Sequence, residues 1–244
     1  MKVDAIIAAR MYSTRMYGKP LKIIQGKPII EHVIDRLRSS KLIDEVILAV
    51  SENDENQVFL DFAKEKNLKF VTGDEEDVLG RINKAANTFN SDHIVRVTSE
   101  NPLIYVEDID KLINFHLDNN CDFTYFDKLP IGSIVEVISS KALKKSFIDG
   151  EKKHHSELVT LFINENPKMF KIKAFEVPNN LKRPNYRLTV DTPADLKLMR
   201  ILYHNFYQNG KLVNLNAVIS FLDENPELLE INNEVPKGDS RIWE

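Results

Sequence analysis

The sequence predicts an α/β fold, a mainly parallel sheet flanked by helices with a smaller antiparallel addition in the second half, and three observations predict it. Short apolar runs of strand length recur at 3–9, 45–50 and 92–98. Segments whose apolar residues fall at helical spacing separate them. Past residue 120 the pattern changes, and the strand-like runs DFTYF, SIVEVIS and FKIKAFEV follow, interleaved with helical stretches. Strand, turn and helix in alternation give a parallel sheet with helices on both faces.

Taken in order, residues 3–9 (VDAIIAA) read as a buried strand that feeds a loop of Arg, Ser, Thr, Gly and Lys. Pro28 opens an amphipathic helix, with Ile29, Ile30, Val33, Ile34 and Leu37 on one face. EVILAV (45–50) is the next strand, 55–67 a helix, 69–72 a short strand leading to Gly73, 77–89 a helix and 92–98 the third long strand. In the second half, helices are expected at 140–147 and 155–166. Thr192-Pro-Ala-Asp reads as an N-cap followed by proline at the first helical position, opening a helix over 192–209 with Leu196, Met199, Tyr203 and Phe206 on one face. The tail after Pro226 is polar and is expected to be loosely held.

Composition narrows the function classes. At 244 residues and 43% hydrophobic content the chain can bury one substantial core, and with no repeat, low-complexity tract or linker it reads as a single domain over 1–244. Lys plus Arg number 33 against 37 Asp plus Glu, a net charge of −4, which disfavours coating a nucleic acid. Cys121 stands alone, so neither a disulfide within the chain nor a cysteine-rich metal site is available, and a reducing cytoplasm is expected. An acidic residue and Arg10 interrupt the first apolar run, unlike a signal peptide, and no run approaches the roughly 18 apolar residues of a membrane span. The expectation is a soluble protein without a membrane partner.

The chemistry concentrates first at 9–21, ARMYSTRMYGKPL. Arg10, Arg15 and Lys19, with the hydroxyls of Ser13 and Thr14, occupy one loop directly after the first strand. Arginine offers phosphate a planar fork of donors and lysine a point charge. Such a loop lies at the carboxyl end of a strand, where open α/β sheets bind ligands. It matches neither GxxxxGK[ST] nor GxGxxG, and a solvated basic loop is the alternative on spacing alone.

This loop resembles the signature of the sugar cytidylyltransferases, most closely the spore-coat polysaccharide cytidylyltransferase-like branch related to CMP-Kdo and CMP-sialate synthetases. The resemblance continues through GKPIIEHVIDRL (26–37), GDEEDVLGR (73–81), IVRVTSENPLI (94–104), GSIVEV (132–137), HSELVT (155–160) and RLTVDTPADL (187–196), and so covers roughly residues 3–200 in order. It implies a Rossmann-like nucleotidyltransferase (GT-A-like) fold with a nucleotide-binding half at 1–120 and an acceptor-binding and dimerisation half at 121–244. The activity it implies is transfer of CMP from CTP to an acidic or phosphorylated sugar-like acceptor, with release of pyrophosphate, in surface polysaccharide or glycoconjugate biosynthesis.

By the same resemblance, Arg10, Ser13, Arg15 and Lys19 grip the triphosphate, with Arg15 and Lys19 stabilising charge as pyrophosphate leaves. Asp77, Arg81 and Ser99 join the nucleotide site, although Asp77 and Arg81, four apart on a helix, also suit a surface ion pair. Glu136, His155, Glu157 and Arg187 fall where the acceptor is held. Glu100 and Asp191 each follow a predicted strand and form a two-carboxylate site for Mg²⁺, which uses one or two carboxylates plus substrate phosphates. Taken alone, both also read as caps. The mechanism is direct attack of an acceptor oxygen on the α-phosphorus of CTP, since Ser13 and Cys121 have no adjacent base.

Several positions depart from the family pattern. Ser99-Glu100-Asn101-Pro102 stands where Gly-Asp-x-Pro is usual, Tyr12 for glycine, Tyr17 for proline, Ile134 where an aspartate often precedes the Val-Glu pair, and Leu158 where a histidine often follows the glutamate. They point to a different substrate or to a non-catalytic nucleotide-binding homologue. A nucleotide-sugar-dependent glycosyltransferase, with Asp108-Ile109-Asp110 as its metal motif, is the lesser alternative, and a dehydrogenase lacks its glycine fingerprint. Aromatic residues between 121 and 175 (Phe123, Tyr125, Phe126, Phe147, Phe162) offer either core or a homodimer surface.

Overall fold

A computed structural model of the protein describes residues 1–208 and 210–235. The first half runs β1 (Val3–Ala9), a two-residue hairpin pair β2 (Ile23–Ile24) and β3 (Lys27–Pro28), α1 (Ile29–Leu37), β4 (Glu45–Ser51), α2 (Gln57–Glu65), β5 (Lys69–Gly73), α3 (Val78–Phe89), β6 (His93–Thr98) and α4 (Ile109–Asp118). The second half adds β7 (Phe123–Asp127), β8 (Glu136–Ser139), α5 (Ser140–Asp149), α6 (Leu161–Glu165), β9 (Ile172–Glu176), α7 (Pro193–Phe206) and α8 (Leu215–Glu224).

β1 is apolar throughout because it lies inside the sheet with helices on both faces. It pairs in parallel with β4 (Ile6 opposite Ile47) and with β6 (Ile6 opposite Arg96). The complete sheet has seven strands in the order β5-β4-β1-β6-β8-β7-β9. β8 is antiparallel to both β6 and β7, so the antiparallel addition expected of the second half extends the same sheet. Alternate residues of the central strands divide the core. Ala5, Ile7 and Ala9 face Val33 of α1, Leu112 of α4 and Leu198 of α7, whereas Ile6 faces Ile82 of α3, Leu143 of α5 and Ile163 of α6. β1, β4, β5 and β6 all end on one edge, and the first loop emerges there.

Local hydrogen bonding accounts for the departures from expectation. The helix expected at 155–166 is a 3-10 turn (Lys152–His154) followed, after an irregular stretch, by the short α6. Backbone and side-chain groups in between serve other partners: the Glu157 carbonyl accepts from Arg96 and the Thr160 hydroxyl donates to Glu136. Residues 187–191, expected as a strand before Asp191, form no strand of the sheet; Arg187 makes one isolated parallel bridge to Ile131, itself outside the strands. The helix expected at 192–209 is α7, which ends at Phe206, and Asn209 lies outside the described residues. Its capping box pairs Thr192 with Asp195, so Asp191 is not the cap.

Part of the tail expected to be loose is built in. Pro226–Ile231 form a 3-10 helix and Asn232 is buried, while residues 236–244 lie outside the described residues. Among the second-half aromatics, Phe123, Phe126 and Phe162 are buried, and Tyr125 and Phe147 pack against the same core. Among the described residues, no helix is long and apolar enough to cross a membrane.

Candidate active site

The first loop is held from outside itself. Gly18 closes it by donating its N–H to the Met11 carbonyl (2.8 Å), in a left-handed conformation (φ +64°) that favours glycine. Met11 N–H in turn donates to Oδ1 of the buried Asn56 (2.7 Å). Asn56 ends a 3-10 turn (Asp54–Asn56) that replaces the first turn of the helix expected over 55–67. Loop and adjacent β-α connection are thus one unit, which presents Arg10, Ser13, Arg15 and Lys19 to a cleft at the strand ends.

Two contiguous cavities, of about 270 and 180 Å³, make up that cleft, and they share Arg15, Lys19, Arg96, Thr98, Glu100 and Glu157 in their walls. The smaller is lined by the first loop together with Arg81 and Ser99. The larger is lined by second-half residues, among them Gly132, Glu136, Arg187 and Asp191.

Asp191 joins the two. Its Oδ1 accepts from Lys19 Nζ (2.7 Å) and Arg15 Nη2 (3.0 Å), and its Oδ2 from Arg187 Nη2 (2.8 Å). Behind it Arg187 also donates to Asp195 (Nε–Oδ1 2.9 Å), whose Oδ1 and Oδ2 further accept from Asn232 and Thr192. Burial alone raises the Asp195 carboxyl, but the hydrogen bonds from Arg187 and Asn232 hold it below the usual carboxylate range. Glu100 completes the cluster, 3.9 Å from Lys19 Nζ. The Ser99 hydroxyl donates to Glu100 Oε2 (3.2 Å), so the side chain added at 99 steadies the longer carboxylate at 100. Val190 N–H donates to the Glu100 carbonyl (3.2 Å), which brings two carboxylates 91 positions apart onto adjacent backbones.

At the loop end the balance is different. Arg81 is 2% exposed, and its Nε and Nη1 have no hydrogen-bond partner. Burial, and after it the charge of Arg10, lowers this guanidinium to about 10, so it stays charged at neutral pH. A buried, unpaired cation is costly until an anion reaches it. Arg10 meets only exposed carboxylates, Glu157 at 3.5 Å and Glu76 at 3.9 Å.

At the other end Glu136, 2% exposed, spends both oxygens within the chain, accepting from Arg96 Nη1 (2.9 Å) and Thr160 Oγ1 (3.0 Å). It therefore orients Arg96, whose Nη2 also donates to the Glu157 carbonyl (2.9 Å). Gly132 lies against the backbone of Thr189 at φ +92°, where a Cβ would come within 2.5 Å of Thr189 N. That contact and the Ile131–Arg187 bridge fix the wall carrying Arg187 and Asp191.

The structure thus brings eleven of the thirteen site residues read from the sequence into one cleft and leaves two outside it. Asp77 is the N-cap of α3, accepting from Gly80 N–H, and pairs with His155 (Oδ2–Nδ1 3.0 Å) beyond the cleft wall. The pairing of Asp77 with Arg81 is not made. Asp108 and Asp110 are engaged by Tyr105 and Ser40 at α4, away from the cleft, so they do not form a glycosyltransferase-type metal motif in it. Sequence reading missed Arg96, Asp195 and Asn232. A lone arginine inside the apolar run IVRVT was the available signal for Arg96, and the capping-box spacing for Asp195. Asn232 carried none.

Residues 5–219 match the cytidylyltransferase family model. The chain belongs to the cytidylyltransferase family. It is 36% identical over 235 residues to an uncharacterised protein of Methanocaldococcus jannaschii, covering 96% of each chain. It is 30% identical over 227 residues to the spore coat polysaccharide biosynthesis protein SpsF of Bacillus subtilis, covering 91% of this chain and 94% of that one. Among solved structures, a cytidylyltransferase from Leptospira borgpetersenii superposes with a TM-score of 0.85 at 27% identity, covering 97% of this chain and 99% of that one. As a cytidylyltransferase, the protein is a CTP-dependent nucleotidyltransferase.

Proposed function

We propose that this cytidylyltransferase transfers CMP from CTP to an acidic or phosphorylated sugar-like acceptor, releasing pyrophosphate, in surface polysaccharide or glycoconjugate biosynthesis. The convergence of Arg15, Lys19 and Arg187 on Asp191 carries this reading, because it joins the phosphate-suited loop to the second-half cavity at one point. The triphosphate lies along Arg10, Ser13, Arg15, Lys19 and Arg81, where Arg81 gains the anion it lacks. The acceptor enters between Arg96, Glu157 and Arg187, its anionic group toward Arg96. An acceptor oxygen attacks the α-phosphorus, the bond to the bridging oxygen breaks, and Lys19 and Arg15 neutralise the charge that develops on pyrophosphate.

Glu100 and Asp191 are the residues that would hold Mg²⁺. Their oxygens are hard donors on adjacent backbones, and those of Asp191 now accept from Arg15, Lys19 and Arg187, contacts that a cation there would replace in part. When bound, the cation supplies further neutralisation at the α-phosphate. Spore-coat polysaccharide synthesis in the SpsF relative supports a carbohydrate acceptor.

Calorimetric titration with CTP tests the proposal, using ATP, GTP and UTP as controls, with and without Mg²⁺, on wild type and Asp191→Ala. Selective CTP binding, tightened by Mg²⁺ and weakened by the substitution, is the expected result, followed by pyrophosphate release with acidic sugars. Binding that ignores base, metal and substitution alike sinks it.

A further inference from the structure

Arg187 and Asp195 are tied together by a residue from near the end of the chain. Past α8, the 3-10 helix of Pro226–Ile231 packs Leu228, Leu229 and Ile231 against the core. That packing delivers Asn232, 4% exposed, to the first turn of α7. Its Nδ2 donates both to the Arg187 carbonyl (3.1 Å) and to Asp195 Oδ1 (2.8 Å). Asparagine suits the place, because one amide nitrogen carries two hydrogens and serves a carbonyl and a carboxylate at once. It does so without setting a further charge beside the Arg187 guanidinium.

What Asn232 holds in turn holds the cleft. Asp195 Oδ1 also accepts from Arg187 Nε (2.9 Å). Its Oδ2 accepts from Arg187 Nη2 (3.2 Å), from Asp191 N–H (3.0 Å) and from the N–H and hydroxyl of Thr192 (2.9 Å each). One buried carboxylate thus gathers the backbone at 191–192 and the Arg187 fork. The same Nη2 donates to Asp191 Oδ2 (2.8 Å), which leaves Oδ1 toward Lys19 and Arg15. Without the Asn232 amide, the Arg187 carbonyl and Asp195 lose a donor in a place that water does not readily reach, and the fork loses its fixed spacing from Asp195.

We infer that Asn232 is a positioning residue for the cation site: acting through Asp195 and Arg187, it keeps the Asp191 carboxylate oriented so that Oδ1 is available to Mg²⁺. The inference rests on the cytidylyl-transfer reading above. It adds to that reading a residue that lines neither cavity and lies beyond residue 219, where the match to the family model ends.

CTP calorimetry on the full chain, with and without Mg²⁺, tests this and needs no acceptor. Asn232→Leu, similar in size but without a donor, is expected to weaken CTP binding in Mg²⁺ about 10-fold, the usual loss when a partner of a metal ligand is removed. Affinity without Mg²⁺ stays within about twofold, because Arg10, Ser13 and Arg81 are far from the change. In an Arg187→Lys background, which keeps the charge but cannot fork, Asn232→Leu adds less than about twofold, since the coupling passes through the guanidinium. Urea unfolding establishes that each variant is folded. Should Asn232→Leu not fold, Asn232→Ser keeps one donor and is expected to show a smaller loss of the same Mg²⁺-dependent kind. Lower stability with undiminished tightening by Mg²⁺ makes Asn232 a packing residue and overturns the inference. Equal losses with and without Mg²⁺, or losses fully additive with Arg187→Lys, overturn it too. Those results leave the cytidylyl-transfer reading standing, whereas wild-type protein that binds CTP no tighter in Mg²⁺ brings down both.

Discussion

At the acceptor end of the cleft, Arg96 and Arg187 each meet a buried carboxylate, Glu136 and Asp195, while at the nucleotide end Arg81 is buried with two nitrogens lacking a partner. At the acceptor end each of these guanidiniums is charge-paired within the chain, and Arg96 leaves only its Nε without a partner. Arg81 is not so paired. A site for one dianionic or monoanionic sugar needs oriented donors whose charge is already balanced, so that affinity stays moderate and geometry decides. A site for a triphosphate tolerates, and uses, cations left without counter-ions. Asp191, shared by Arg15, Lys19 and Arg187, marks the boundary between the two regimes.

The largest expected effect lies at that boundary. Lys19→Ala should lower pyrophosphate release by about 10²–10³-fold, the usual loss for a preorganised charge at a reacting centre. A fall of less than about 10-fold, read by steady-state kinetics, breaks the assignment of the boundary to chemistry. Next comes the paired end, where Glu136→Ala strands Arg96 and should cost about 3 kcal/mol of stability in urea unfolding. Arg81→Met sharpens the contrast, because the two ends should respond in opposite ways. Here stability is expected to hold or rise, while CTP binds about 10–100-fold more weakly by calorimetry, the affinity of one to two charge-assisted hydrogen bonds. Loss of stability with unchanged CTP affinity would make Arg81 a structural residue.

The smallest effect is remote from both ends. His116, fully buried against His93 and Thr124 with Asp122 nearby, is lowered to about 4 by burial first and the His93 charge second, from an ordinary 6.5. Between those values the unfolded chain binds the extra proton and the folded one does not, so stability is fully present above about 6.5 and is lost as pH falls toward 4. A loss on the order of 1–2 kcal/mol from His116 is expected over that window, so the pH slope is smaller in His116→Asn, with no change in CTP selectivity. Equal pH slopes for both proteins would assign the acid sensitivity to His93 and His32, which burial also lowers.

Legibility followed contiguity. The first loop lies within thirteen consecutive residues after one strand, so Arg10, Ser13, Arg15 and Lys19 could be read together and the structure keeps them together. Asp77 and His155 were read through the same resemblance, yet they face each other outside the cleft, because the N-cap of α3 draws Asp77 away from it. The helix expected at 155–166 failed for a related reason: the Glu157 carbonyl and Thr160 hydroxyl are claimed by Arg96 and Glu136 from other strands.

By itself, then, the sequence determined the strand and helix alternation, the order of the parallel strands' residues in the chain, the phosphate-suited loop and the family. Those follow from local periodicity and from motifs of neighbouring residues, which need no knowledge of what lies across the fold. Only the tertiary structure decided that Asn232 lies beneath Asp195, that Glu136 spends its charge on Arg96, and that Ile131, Ile134 and Leu158 line one cavity. Each of these is a contact between distant segments, whose partners are chosen by packing and by the need to satisfy buried charge rather than by spacing along the chain.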